Sequence, residues 1–434
     1  MKELRRWKKR SAVDIICSGK TVINCREDTA VSEKITVLGV GDIILDAPDP
    51  EKYFDTSKDL LKAADIAVGN MEDPHTDRPS WSNMESHSAP ASALENLSAF
   101  RYAGFDVATI GGNHCFDQGA YGILDPIDYF RNCGIATCGS GANCDEARKP
   151  AIVERKGIRT AFLHYNLTGP RECYATVMKA GCAYIRIATA YCNDRAEPGG
   201  SPSAIYTIAD PRGKKNMADD ILAAKKAADH VIVYFHSGSP GKALLNQYEL
   251  DLTHYAVDMG AAAVLCCHTH AIASMEIYRG KPIYYGLGNF VTVTGAMDPD
   301  APNARQRRTN FYGWPGIQPW WDFDVFKMLG PGDVPNYPFA EYSRNTMIAK
   351  LEFNKEGLLS AGFIPCWIND AAQPTPVTRD GKGREVVEYI ADWEKKAGFD
   401  FPFAWNGEGT EIVFDLGKDT ESVYLDPPPE FGRY

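Results

Sequence analysis

Imidazoles, carboxylates and one amide stand at the ends of successive apolar runs. "AVLCCHTHAI" (263–272) closes an apolar run with His268 and His270, and "HVIVYFHSG" closes another with His236. "FDVATIGGN" ends on Asn113, followed by His114; "KITVLGVGD" ends on Asp42, and "DIAVGN" on Asn70, two residues before Glu72. Carboxylate, amide oxygen and imidazole suit a hard to borderline divalent ion (Mn, Zn, Fe or Mg), one or two per chain, and require no thiolate. The i, i+2 spacing of His268 and His270 predicts extended backbone with both rings on one side, sharing one ion or dividing between two. A carboxylate such as Glu72 can bridge two ions, and two ions would lower the pKa of a bound water and hold an oxyanion.

Taken singly, each residue has a structural explanation, since Asp and Asn cap helices and a core His can hydrogen-bond. The signal is that five strands end alike, because open α/β sheets place their sites at strand carboxyl ends. The intervening segments support that architecture. Amphipathic or helix-like stretches near 56–64, in "ALENLSAFRYAG" and "GILDPIDYFRNCG", and at 215–228 and 245–259 alternate with the apolar runs, which predicts a layered α/β domain. "AIVERKGIRTAFLHY" and "NTMIAKLEFNKEGLLSAGFIPCWI" read as hairpins, "SMEIYRGKPIYYGLGNFV" as a closing hairpin and strand, and 383–397 as a helix. Residues 166–212 read as irregular, and the tail from about 400 as wrapped coil.

With 434 residues and a formal net charge of -11, the chain is long enough for a large core. Its charge disfavours nucleic acid and anionic membrane surfaces. No segment approaches about 18 uninterrupted apolar residues, so no membrane span is expected. The basic opening "MKELRRWKKR" lacks a signal peptide's apolar stretch. None of the twelve cysteines forms a CxxC pair, which disfavours a structural zinc site. Buried reduced thiols and a cytoplasmic location are the expectation.

The ordered pieces "GVGDIIL", "ADIAVGNMEDP", "GGNHCFDQGAYGILD", "GSGANCDEARKP", "ADHVIVYFHSG" and "GAAAVLCCHTHAIASMEIYRGKPIYYGLGNFV" resemble a known family. From about Thr36 to Ile368 the chain is similar to the poly-γ-glutamate capsule-biosynthesis (CapA-type) branch of the calcineurin-like metallophosphoesterases. The resemblance implies a four-layer α-β-β-α sandwich over 35–370, with an N-terminal extension (1–34), an inserted aromatic and Arg-rich loop (295–345) and a C-terminal helix and tail (371–434). It also implies a two-metal ligand set: Asp42 and His270 on the first ion, Asn113, His236 and His268 on the second, and Glu72 between them. His114 would be the proton donor or oxyanion stabiliser, oriented by Asp117. The pattern departs from the superfamily at Ile44, where Asp-x-His is common, so the first ion has fewer ligands. It departs from the branch at "HSG" (236–238) and at Cys267, where His is frequent and a buried thiol is expected here.

Arg305, Arg307, Arg308 and Trp314 could grip a carboxylate or phosphate beside an apolar wall, with Asn70 and Asn289 as further substrate contacts. "TGPRECY" (168–174) is a second candidate rim. These residues predict a metal-dependent hydrolase acting on a glutamyl-like amide or peptide, or on a phosphoester. Two alternatives stand beside it: a peptide or amino-acid epimerase or lyase using the same metal and His site, and a non-catalytic component of a polymer-biosynthesis complex. The expected partner is a small molecule or peptide, and self-association is left open.

Overall fold

Strands that read as unbroken apolar runs are buried on both faces, and here they form the two middle layers of the molecule. The computed structural model describes residues 33–79, 89, 91–192, 204–239, 245–294, 337–401 and 404–422. β1 (Ile35–Asp46), β2 (Ile66–Met71), β3 (Val107–Thr109) and β4 (Ala136–Cys138) lie parallel, linked by α1 (Lys58–Ala63), α2 (Ser98–Ala103) and α3 (Tyr121–Cys133). β5 (Ala151–Arg155) and β6 (Ile158–Asn166) form a hairpin that begins a second sheet. β7 (His230–His236) and β8 (Ala263–Cys267) extend it in parallel, after α4 (Pro211–Ala227) and α5 (Gln247–Met259). The hairpin of β9 (Met275–Tyr278) and β10 (Lys281–Tyr284) completes six strands, ordered β9-β10-β8-β7-β6-β5.

The chain then returns to the first sheet. β11 (Asn289–Thr294) runs parallel to β1, and β12 (Asn345–Phe353) pairs antiparallel with β1 and with β13 (Leu358–Ile368). β14 (Pro374–Pro376) adds to β13. After α6 (Lys382–Ala397), β15 (Ala404–Trp405) and β16 (Ile412–Val413) bring this sheet to ten strands.

Alternation along each strand sorts side chains into layers. Val37, Val68 and Val107 meet Phe162, Tyr234 and Leu265 between the sheets. Leu38, Ala67 and Ala108 face outward under Leu61, Phe100 and Phe130 of α1–α3. Leu163, Val233 and Val264 face the other way under Met217, Ile221 and Leu252 of α4 and α5. The result is the expected four-layer α-β-β-α sandwich. α4 starts where Asp210 accepts the Gly213 N–H, and α5 starts at an Asn246/Glu249 capping box, so both helices carry their own start signals.

Two stretches differ from expectation. Residues 166–212 contain an antiparallel pair, Ile187–Cys192 with Ala204–Ala209, which their mixed composition concealed. The tail is more than coil: Gly362 and Phe363 of β13 pair with Val413 and Ile412, because the edge of a sheet offers unpaired backbone groups to any passing strand. Most of the N-terminal extension (through Ser32) and residues 295–336, with Arg305, Arg307, Arg308 and Trp314, lie outside the described residues. Among the described residues no helix is long and apolar enough to cross a membrane.

Candidate metal centre

Asp42 stands within β1 and not after it, because β1 continues to Asp46 alongside β11. The register slips at Asp42 against both β2 and β11, a bulge that re-aims the side chain. Gly41 permits this, since a Cβ there would run into the Gly288 carbonyl. His268 and His270 also differ from the expected extended pair. Their φ values are 96° and 52°, a left-handed conformation that costs non-glycine residues on the order of 1–3 kcal/mol each and collects at functional sites. β8 stops at Cys267 as the His268 N–H turns to donate to Asp42 Oδ2 at 2.9 Å.

The side chains fall into two overlapping groups, Asp42–Glu72–His270 and Glu72–His236–His268, whose potential ligand atoms lie within 4.8 Å of one another in each group. Glu72 is common to both. In the first, His270 Nε2 is 3.4 Å from Glu72 Oε1 and Nδ1 is 3.7 Å from Asp42 Oδ2. In the second, His236 Nε2 is 2.7 Å from Asn113 Oδ1, 3.1 Å from His268 Nδ1 and 3.8 Å from Glu72 Oε1.

The proton positions argue for a cation. Asn289 Nδ2 donates to the His270 carbonyl and to Tyr337 Oη, both at 3.2 Å. Its Oδ1 must therefore accept from His270 Nδ1 at 3.0 Å, which leaves His270 Nε2 as a lone pair facing a carboxylate oxygen. Among the described residues both Glu72 oxygens are buried with no hydrogen-bond partner, and only imidazoles approach them as ion-pair partners. Burial pushes Glu72 well above the usual carboxylate range, reinforced by Asp42, Asp73 and Asp117. Burial also raises Asp42 against the pull of His270. The three imidazoles move the opposite way. Burial and neighbouring rings hold His236 well below its ordinary value, His268 falls to about 3, and burial lowers His270. The His270 Nε2 lone pair facing an orphaned Glu72 oxygen fits a divalent ion, whose charge inverts these preferences.

His114 lies beside this cluster. Its Nδ1 is 2.6 Å from Asp117 Oδ2, which also accepts the Ala89 N–H. Burial opposes charge on the ring, but Asp117 outweighs it, and the pKa is raised. At 26% exposed, the His114 side chain is open to solvent while Asp117 is sealed. "TGPRECY" does border the site: Cys173 Sγ donates to the Asn113 carbonyl at 2.7 Å. On the His270 side, Phe339 packs against the ring, centroids 4.4 Å apart. Tyr337 and Phe339, the described end of the expected loop, thus wall the centre.

Asn70 and Asn289, expected to touch substrate, are fully buried and committed elsewhere. Asn70 donates to Asp42 Oδ1 at 2.9 Å and accepts from Thr109 Oγ1 at 3.0 Å, so it orients a carboxylate, as Asn289 orients His270. Cys267 is a buried free thiol, 3.5 Å from His236 Nδ1. Sequence reasoning missed His75 and His164. His75 is buried, with Nδ1 2.9 Å from the Ala93 carbonyl and Nε2 3.3 Å from Asp73 Oδ1. His164, near the carboxyl end of β6 in "TAFLHYN", was legible by the same strand-end signal as His236.

A family model described as "Bacterial capsule synthesis protein PGA_cap" matches residues 34–294. The chain belongs to that family. The capsule biosynthesis protein CapA of Bacillus anthracis is 26% identical over 60% of this chain and 60% of its own length. The PGA biosynthesis protein CapA of Bacillus subtilis is 24% identical over 84% and 76%. The chain therefore spans less than two thirds of the first of these relatives. A solved structure described as a candidate 5'-nucleotidase of Staphylococcus aureus has a TM-score of 0.38 at 10% identity, over 83% of this chain and 59% of that one, a likeness too loose to argue from. The four-layer arrangement of this family member is read from its own strands and helices, and the candidate site from its strand-end residues.

Proposed function

We propose that this PGA_cap family member is a metal-dependent hydrolase with a two-ion site, acting on a glutamyl-type amide or peptide bond or on a phosphoester. The observation that carries the reading is Glu72, whose two buried oxygens lack any hydrogen-bond partner among the described residues and lie between His270 on one side and His236 and His268 on the other. Asp42, Glu72 and His270 would hold one ion; Glu72, Asn113, His236 and His268 would hold the other. Bound ions would supply an activated water and a counter-charge for the developing oxyanion. His114 supplies the proton: Asp117 fixes Nδ1, leaving Nε2 as the group that protonates the departing amine or alkoxide. Asn70 and Asn289 hold Asp42 and His270 in place, and Phe339 keeps water off the His270 side. The relatives' names, capsule and PGA biosynthesis, make γ-glutamyl amides the first substrates to try.

The test is metal content per chain after purification without chelators, followed by turnover of γ-glutamyl amides and phosphoesters with and without added Mn or Zn. Two retained ions, and hydrolysis lost in His114→Ala at unchanged metal content, support the reading. A chain that retains no ion and hydrolyses neither class when metals are added overturns it.

A further inference from the structure

We propose that His164 is a positioning residue: its Nδ1 holds the Gly111–Gly112 turn that delivers Asn113 and His114 to the metal centre. The inference rests on the metal reading above for its consequence, though not for its geometry. His164 projects from β6, 1% exposed, and its Nδ1 accepts the Gly111 N–H at 2.9 Å. The turn lies directly on the ring: a Cβ on Gly111 would come within 2.7 Å of His164 Nδ1, and one on Gly112 within 3.3 Å of the His236 ring. Two imidazoles thus support two successive glycines, and Asn113 comes next. On either side the backbone is anchored separately, Ile110 N–H to the Cys138 carbonyl at 2.9 Å and the Asn113 carbonyl to Cys173 Sγ at 2.7 Å. The His164 bond pins the turn between those anchors.

A competing role as a ligand fails on proton placement. His164, His236 and Cys267 have potential ligand atoms within 4.8 Å of one another. A ring that accepts a backbone N–H at Nδ1 must carry its own proton on Nε2, however, so His164 has no lone pair left for an ion. Its Nε2 is buried without a partner among the described residues, a cost that makes sense when the acceptor on the other side of the ring is the required group. A neutral imidazole also accepts at this depth without the desolvation cost that a charged carboxylate would carry.

The experiment compares wild type with His164→Asn, whose Oδ1 can accept close to where Nδ1 stands, and His164→Leu, which fills similar space without an acceptor. Two quantities are read: amide hydrogen exchange of the 110–114 segment in chelator, and ions retained per chain after loading with Mn or Zn and desalting. The Leu variant is expected to exchange the turn amides roughly tenfold faster, the effect of one lost hydrogen bond, and to lose one ion while keeping the other. The Asn variant is expected to restore both. Wild-type exchange and stoichiometry in the Leu variant, or an Asn variant that behaves like Leu, overturns the proposal. Should the Leu variant not fold, His164→Gln, whose longer arm misplaces the acceptor, takes its place. A wild-type chain that binds no ion overturns the metal reading, and the exchange comparison then decides for or against His164 alone.

Discussion

Replacing Glu72 with Gln should stabilise the metal-free protein while abolishing its stabilisation by metal. In the wild type both Glu72 oxygens are buried and unpartnered, and burial followed by Asp42, Asp73 and Asp117 raises its pKa well above the ordinary value of 4.5. A raised carboxyl binds its proton more tightly when folded than when unfolded, so wild-type stability in chelator falls as pH rises from about 4.5 toward the folded pKa. Gln carries no charge, and its amide N–H can donate to the His270 Nε2 lone pair, 3.4 Å from Glu72 Oε1. Relieving one buried, unsatisfied polar group is worth about 1–3 kcal/mol. In chelator at neutral pH, Glu72→Gln should therefore exceed wild type by that amount in urea unfolding, with the gain shrinking toward pH 4.5. At a metal concentration 100 times the dissociation constant, wild type should gain about 2.7 kcal/mol and the variant little, so the variant's advantage is cancelled or reversed. A variant less stable than wild type in chelator, or stabilised equally by metal, refutes the argument that Glu72 is held for a cation.

Four further outcomes follow from the same geometry. Asp117→Asn removes the charge that raises His114, so the alkaline limb of the activity profile, where the donor loses its proton, should move to lower pH at unchanged metal content. His114→Ala should lower turnover by about 10²–10⁴ without changing the unfolding midpoint in metal. For His75, burial opposes charge, but Asp73 and the Ala93 carbonyl outweigh it and raise the pKa. Its stabilisation is full below about 6.5 and is lost as pH rises through the folded value; denaturation of His75→Asn across pH 6–9 should show a flatter dependence than wild type. Gly41→Ala, which drives a methyl into the Gly288 carbonyl, should cost several kcal/mol of stability or prevent folding, read by thermal unfolding and soluble yield.

Residue order along this chain determined the layers and the candidate ligands. Apolar runs of strand length alternating with amphipathic helices leave few arrangements other than helices outside two sheets. A ligand type at the end of a strand is visible without coordinates, so Glu72, Asn113, His236, His268 and His270 could be read directly. What only the tertiary structure decided is how those side chains are oriented and which protons they carry. Asn70 and Asn289 looked like free amides; packing turned each toward a ligand, since a buried amide must satisfy its hydrogen bonds. The i, i+2 spacing of His268 and His270 suggested extended backbone, but Asp42, 226 residues away in sequence, captured the His268 N–H and bent the chain. Long-range hydrogen bonds of that kind leave no local pattern. For the same reason the tail's β-pairing and the role of His164 emerged only once distant strands had been brought side by side.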